Sequence, residues 1–312
     1  MKKFLSILLI AVLSLSLFAC NTPEDTTKIR IGVMSGPTGM GMAKLMNDCK
    51  DDNSKYEFIV YSAPTNATAD LANGNLDMLC LPTNTAAALA NQKENYISAI
   101  AINTLGSLYL MTSENVTVSS IADLEGKTIY ASVPSSTTGP IINYILEKNN
   151  VNATVVFEAD HDALVAKVVS GAADIVVLPE PKVTAATIQN VTYSVDLNLS
   201  TEWSKISDEP LTMGCIVVKN DFLAEHKAVV DNFLVDYKKS IDFIADKSNL
   251  DQAAQMIFDN GVLPKLPIAK KALNNLYGSI VYIDSEEMDN ALKAFYDAIG
   301  ISCPSDDFFY EK

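Results

Sequence analysis

Apolar and polar positions along this chain follow two rhythms, and one block of the pattern is written twice. Leu71-Ala-Asn-Gly74-Asn-Leu-Asp77-Met-Leu-Cys-Leu81-Pro82 is matched 97 residues later by Val168-Val-Ser-Gly171-Ala-Ala-Asp174-Ile-Val-Val-Leu178-Pro179, with Gly, Asp, Leu and Pro in register. Self-similarity of this kind points to two similar lobes. In each copy a helix stops at a glycine that tolerates the left-handed conformation, an Asp turn follows, and a four-residue apolar strand ends at Pro. An apolar run without alternation predicts a strand buried on both faces, and therefore parallel neighbours. Upstream, Lys28 to Gly39 and Lys127 to Gly139 both read as strand, polar loop and helix start, the second loop being one residue longer.

The same periodicities predict helices over 40–47, 67–73 and 141–147, strands over 58–62 and 153–157, and a helix through 169 with Asp160 as its N-cap. Strands are expected over 105–112 and 212–219, where the chain would cross between lobes. Beyond 221 the spacing turns helical over 232–245, 250–259 and 286–298, with Gly261 to Pro267 breaking the series. These helices are expected to pack on the first lobe. The lobes are placed at 29–109 with 216–312, and at 110–215, each long enough to bury a core.

The first residues carry a different pattern. Lys2 and Lys3 precede an apolar stretch from Phe4 to Leu17, and Leu17-Phe18-Ala19-Cys20 ends it with small residues and a cysteine. Residues 1–19 read as a signal peptide, since the stretch is short for a membrane span. The spacing resembles a bacterial lipobox, which implies lipid on Cys20; an ordinary secretory signal with an incidental cysteine is the plainer alternative. Residues 20–28 read as a polar linker.

Composition narrows the partners. Removing a leader that carries Lys2 and Lys3 takes the formal charge from −15 to −17, which excludes nucleic acid. Arg30 is the only arginine, so an anion would depend on backbone N–H groups, hydroxyls or lysine, not on a bidentate guanidinium clamp. Cys80 and Cys215 fall in apolar strands as small hydrophobes, while Cys49 and Cys303 are open to pairing if the C-terminal tail packs back. No cysteine or histidine spacing suggests a metal site, and no cofactor motif is present.

Together, Ile29-Arg-Ile-Gly-Val-Met34, Ile121-Ala-Asp-Leu-Glu-Gly126-Lys-Thr-Ile129, Gly171-Ala-Ala-Asp174 and Leu178-Pro179-Glu180-Pro181 resemble the bacterial solute-binding lipoproteins of ABC transporters. The likeness is to the branch handling sulfonates, taurine, nitrate and thiamine pyrimidine precursors. It implies an α/β, two-lobed type II periplasmic-binding fold, each lobe a mainly parallel sheet flanked by helices, with the ligand cleft between. It also implies a monomer that closes on one small solute and delivers it to a permease and its ATPase, outside the cytoplasmic membrane. Carried over by position, the cleft would be lined by Ser35, Thr38, Gly39, Thr83 and Asn84, and by Ser135, Ser136, Thr137, Thr138 and Glu180, with Thr65, Asn66 and His161 able to reach inward.

Each of these has a plainer reading. A hydroxyl before a helix is first an N-cap worth about 1 kcal/mol, Glu180 can be structural, and His161 between two aspartates fits a surface helix start. Trp203 and Tyr109 suit ring stacking or core packing equally. A receptor reporting to a membrane sensor would need the same clamshell. An enzyme is the weakest alternative, because no Gly-x-Ser-x-Gly elbow occurs and His161 and His226 lack a triad setting.

Overall fold

A computed structural model describes residues 25–50, 54–132 and 137–311. The expected signal peptide, Cys20, and the candidate site residues Ser135 and Ser136 lie outside the described residues. The first part of the chain runs β1 (Ile29–Met34), α1 (Pro37–Met40), α2 (Ala43–Asp48), β2 (Tyr56–Tyr61), α3 (Pro64–Ala72), β3 (Met78–Pro82), α4 (Thr83–Gln92) and β4 (Ile97–Leu105). Then come β5 (Leu108–Ser113), β6 (Thr128–Ser132), α5 (Thr138–Lys148), β7 (Thr154–Glu158), α6 (His161–Ser170), β8 (Ile175–Pro179), α7 (Lys182–Gln189) and β9 (Tyr193–Asn198). The last part holds α8 (Leu199–Trp203), β10 (Thr212–Lys219), α9 (Asn220–Glu225), α10 (Lys227–Ala245), α11 (Leu250–Asp259), α12 (Leu266–Asn275), β11 (Ile280–Ile283) and α13 (Ser285–Ala298).

Two sheets carry these strands, in the orders β11-β4-β10-β3-β1-β2 and β7-β6-β8-β5-β9. The duplicated pattern is a duplicated topology. β2-β1-β3 and β7-β6-β8 are parallel triplets, and an antiparallel strand flanks each, β10 on β3 and β5 on β8. β3 and β8 are buried from their first residue to the one before the final proline, as expected of strands covered on both faces. Gly74 and Gly171 take φ of 76° and 69°, the left-handed region where a side chain would be strained. The two aspartates also match in role. Asp77 accepts from the Arg30 backbone at 2.9 Å and from Arg30 Nε at 3.0 Å, and Asp174 Oδ1 accepts from Ser113 Oγ at 2.6 Å, so each ties the start of a central strand to its neighbour. The lone arginine is thereby committed to the fold.

The stretch expected to be one strand over 105–112 is two. β4 ends at Leu105 and β5 begins at Leu108, because at Gly106 the chain leaves one sheet for the other. There the Gly106 N–H donates to the Leu211 carbonyl at 2.8 Å, and a Cβ on Gly106 would lie 1.7 Å from Ser200 Oγ. The expected boundaries after 109 and 215 fall inside β5 and β10, so we place the crossings at 106–107 and 199–211.

The helices after 220 do cover the first sheet. Phe233, Tyr237, Ile241, Ile257 and Leu273 pack with Ile29, Ile31 and Val33 in one core; burying a side chain such as Phe233 contributes about 1.5–3 kcal/mol. A second core runs across both lobes, joining Leu79 and Leu81 to Ile129, Ile142, Trp203 and Phe295. Trp203 is therefore a core residue, its indole N–H donating to the Glu209 carbonyl at 2.9 Å. Cys80 and Cys215 are buried, and Cys49 and Cys303 are free thiols, so the pairing left open above is not formed. Among the described residues no helix is long and apolar enough to cross a membrane.

Candidate functional site

The carboxyl ends of the parallel strands of both sheets converge on one cavity of about 280 Å3. From the first lobe come Ser35, Thr38, Ser62 and Thr104, at the ends of β1, β2 and β4, with Met213 on β10. From the second come Ser107, Thr137, Thr138, His161, Glu180 and Lys182. In parallel sheets this is where loops and helix starts leave open space. A larger cavity of about 620 Å3 lies between α2 and α10. Its charged groups largely satisfy one another, Lys44 with Asp48 and Lys239 with Asp236, and it sits at the start of β2, away from the carboxyl ends of the strands.

His161 opens α6, whose N-cap is Asp160 as expected, accepting from the Ala163 N–H at 2.8 Å. The cap fixes the helix start and so aims the imidazole inward. His161 Nε2 lies 3.0 Å from Ser132 Oγ and 3.2 Å from Thr138 Oγ1. Burial, and then the charge of Lys182, lower its pKa below 6.5, so the imidazole is neutral at pH 7. Thr137 and Thr138 begin the eleven-residue α5 without a side-chain cap bond. The capping alternative therefore fails for Thr137. Lys182, at the first position of α7, lines the cavity and pairs with Asp162.

Glu180 is 1 % exposed. Its carboxylate accepts from Thr184 N–H at 3.2 Å, Thr184 Oγ1 at 3.0 Å and Asn275 Nδ2 at 2.7 Å. Burial raises its pKa, against the opposing effect of these hydrogen bonds and of the Lys271 charge. All three bonded donors are neutral, so the charge has no bonded cation.

Ser35, Thr38, Thr137, Thr138, His161 and Glu180 thus share one cavity. Gly39, Thr65, Asn66, Thr83 and Asn84 do not line it. Gly39 is packed so closely on β1 that a Cβ would meet the Met34 carbonyl oxygen at 2.1 Å, and Thr83 is buried with Oγ1 on the Thr212 carbonyl at 3.3 Å. Thr65 and Asn66 are exposed. Tyr109 donates to the Asn275 carbonyl at 3.0 Å and is packed in the second-lobe core. Ser107, Lys182 and Asn275 were not anticipated. Lys182 stands three residues past a strand end, a position that sequence alone marks; Asn275 carries no such mark.

Residues 50–258 match the family described as ABC transporter, phosphonate, periplasmic substrate-binding protein. The chain belongs to this family. Its fold and family are those of transporter binding proteins, which places this binding protein outside the cytoplasm with a small-molecule ligand and a permease as partners. An ABC transporter protein from Parabacteroides distasonis superposes with a TM-score of 0.74 at 18% identity, covering 92% of this chain and 99% of that one. The periplasmic aliphatic sulphonate binding protein SsuA from Escherichia coli gives 0.71 at 15% identity, with 91% and 92% covered. A ligand-binding component of an ABC-type import system from Staphylococcus aureus, with zinc bound, gives 0.69 at 14%, with 91% and 96% covered. These likenesses establish the fold alone. No curated protein matches.

Proposed function

We propose that this binding protein captures a small zwitterion, a taurine-like amino-sulfonate or its phosphonate counterpart, by hinge closure and hands it to the permease, while held to the membrane by lipid on Cys20. The observation that carries the reading is the pairing, in one two-lobed cavity, of an oxyanion-suited region with a buried carboxylate whose bonded donors are all neutral. The start of α5 and His161 offer donors to a tetrahedral oxyanion, and Lys182 a positive charge that it shares with Asp162. Glu180 offers an ammonium group a carboxylate with no directly bonded cation, with charge-assisted bonds of about 1.5–3 kcal/mol. A solute touching both lobes binds the closed form better and shifts the hinge equilibrium.

A thiamine pyrimidine precursor fits less well. Among the described residues lining the cavity there is no Phe, Tyr or Trp, so a heterocycle finds no ring to stack on. The test is thermal unfolding of a chain starting after Cys20, with taurine, 2-aminoethylphosphonate, ethanesulfonate and an aminopyrimidine. A ligand at a hundred times its dissociation constant adds about 2.7 kcal/mol. Stabilisation by a zwitterion above its amine-free analogue is expected, with the solute recovered unchanged. Stabilisation by the aminopyrimidine alone overturns the assignment.

A further inference from the structure

The end of α12 reaches from one lobe into the other beside the cleft. α12 belongs to the first lobe, its Ala269, Ala272 and Leu273 buried in the core under the first sheet. Yet Asn275 Nδ2 donates to Glu180 Oε1 at 2.7 Å, and the Asn275 carbonyl accepts from the Tyr109 hydroxyl at 3.0 Å. Both partners are second-lobe residues. One turn earlier, Lys271 Nζ lies 3.2 Å from Thr187 Oγ1 on α7. Four residues later, Ser279 Oγ donates to the Gly106 carbonyl at 2.7 Å, and the Ser279 carbonyl accepts from the Leu105 N–H at 2.7 Å. A single short segment therefore holds the cleft carboxylate at one end and the interlobe crossing at the other.

We propose that Asn275 is a positioning residue that fastens Glu180 to the first lobe and, through the turn to Ser279, ties the state of the cleft to the crossing at Gly106. An amide donating to a buried carboxylate is a strong, directional bond, and removing it leaves a charged group short of a donor. Opening the lobes breaks that bond along with the Tyr109 and Lys271 contacts, so the three together oppose opening. A solute ammonium arriving at Glu180 meets a carboxylate already anchored across the cleft, which reduces the ordering cost of closure. The inference rests on reading the cavity as the solute cleft, but its test requires no solute, so an incorrect ligand assignment leaves the result interpretable.

The experiment measures the distance distribution between nitroxide labels at Ala69→Cys on α3 and Glu147→Cys on α5, both exposed, in a Cys49→Ser, Cys303→Ser background of the solute-free protein. Asn275→Ala and Asn275→Asp are each expected to broaden the distribution roughly twofold, the second by setting carboxylate against carboxylate. Thr184→Val, which removes a hydroxyl that donates to Glu180 and that Asn275 Nδ2 approaches only at 3.5 Å, keeps the 2.7 Å Asn275–Glu180 bond and should leave it narrow. The exchange Glu180→Gln with Asn275→Asp restores an amide–carboxylate pair in reverse and should return the parent distribution. Parent-like distributions in both Asn275 variants overturn the proposal, as does a double variant as broad as Asn275→Asp. Thermal unfolding within about 3 °C of the parent identifies the folded variants to which these criteria apply, and the exchange variant supplies the criterion if Asn275→Ala does not fold.

Discussion

Glu180 and His161 sit in the same cavity and titrate in opposite senses from one cause, burial that penalises whichever form is charged. The signs decide what acid does to the solute-free protein. For His161 the folded pKa lies below 6.5, so the unfolded chain binds more protons; its contribution is complete above pH 6.5 and is lost as pH falls toward the folded value. For Glu180 the folded pKa lies above 4.5, so the folded chain holds the extra proton and stability falls as pH rises from 4.5 through the folded value. Melting temperatures between pH 4 and 8 should show His161→Gln flattening the loss below pH 6.5, and Glu180→Gln flattening the decline above pH 4.5. The same Glu180→Gln protein should bind an amine-bearing solute about tenfold more weakly, a loss of about 1.4 kcal/mol, by titration calorimetry; an unchanged dissociation constant would make Glu180 purely structural. Ser35 and Thr38 were legible from their place after a strand, whereas Asn275 was not, because the bond that brings it to Glu180 spans 95 residues of sequence.

Helix starts do most of the work of aiming side chains at the cavity, and their strength can be tested. Asp160→Ala should cost about 1 kcal/mol of stability and, by loosening the first turn of α6, weaken solute binding through His161. Replacing Thr38 and Thr138 together with Ala should lower solute affinity more than it lowers the melting temperature of the solute-free form; equal affinity would remove them from the site. Elements were legible where their pattern was local and complete. β3 and β8 announced themselves as apolar runs between Gly and Pro, and α11 and β10 match their expected limits. β11 was missed because it is a four-residue edge strand, mostly half-buried, with no alternation to read. α12 is hidden in the sequence by Pro267, which reads as a break but sits in the helix's first turn, where a missing N–H costs nothing.

At the scale of the molecule, the two lobes were readable because the duplication preserved both spacing and chemistry. The division between them was not readable to the residue, since a crossing strand looks like any other until its partners are known. Solute binding should compact the protein: small-angle scattering with a saturating zwitterion is expected to show a smaller radius of gyration than without it, and no change would argue against hinge closure. The position of β10 has a further consequence, for the order in which the chain can fold. β10 pairs on one side with β3 and on the other with β4, so the two halves of the first sheet are not bonded to each other until residues 212–219 have emerged. The second sheet is complete by residue 198. The middle of the polypeptide can therefore finish folding while the earlier-made portion still exposes one edge of β3 and both edges of β4, groups open to mispairing with other chains. The last third of the sequence acts as the keystone, and a chain cut short before it would be left with edges that aggregate.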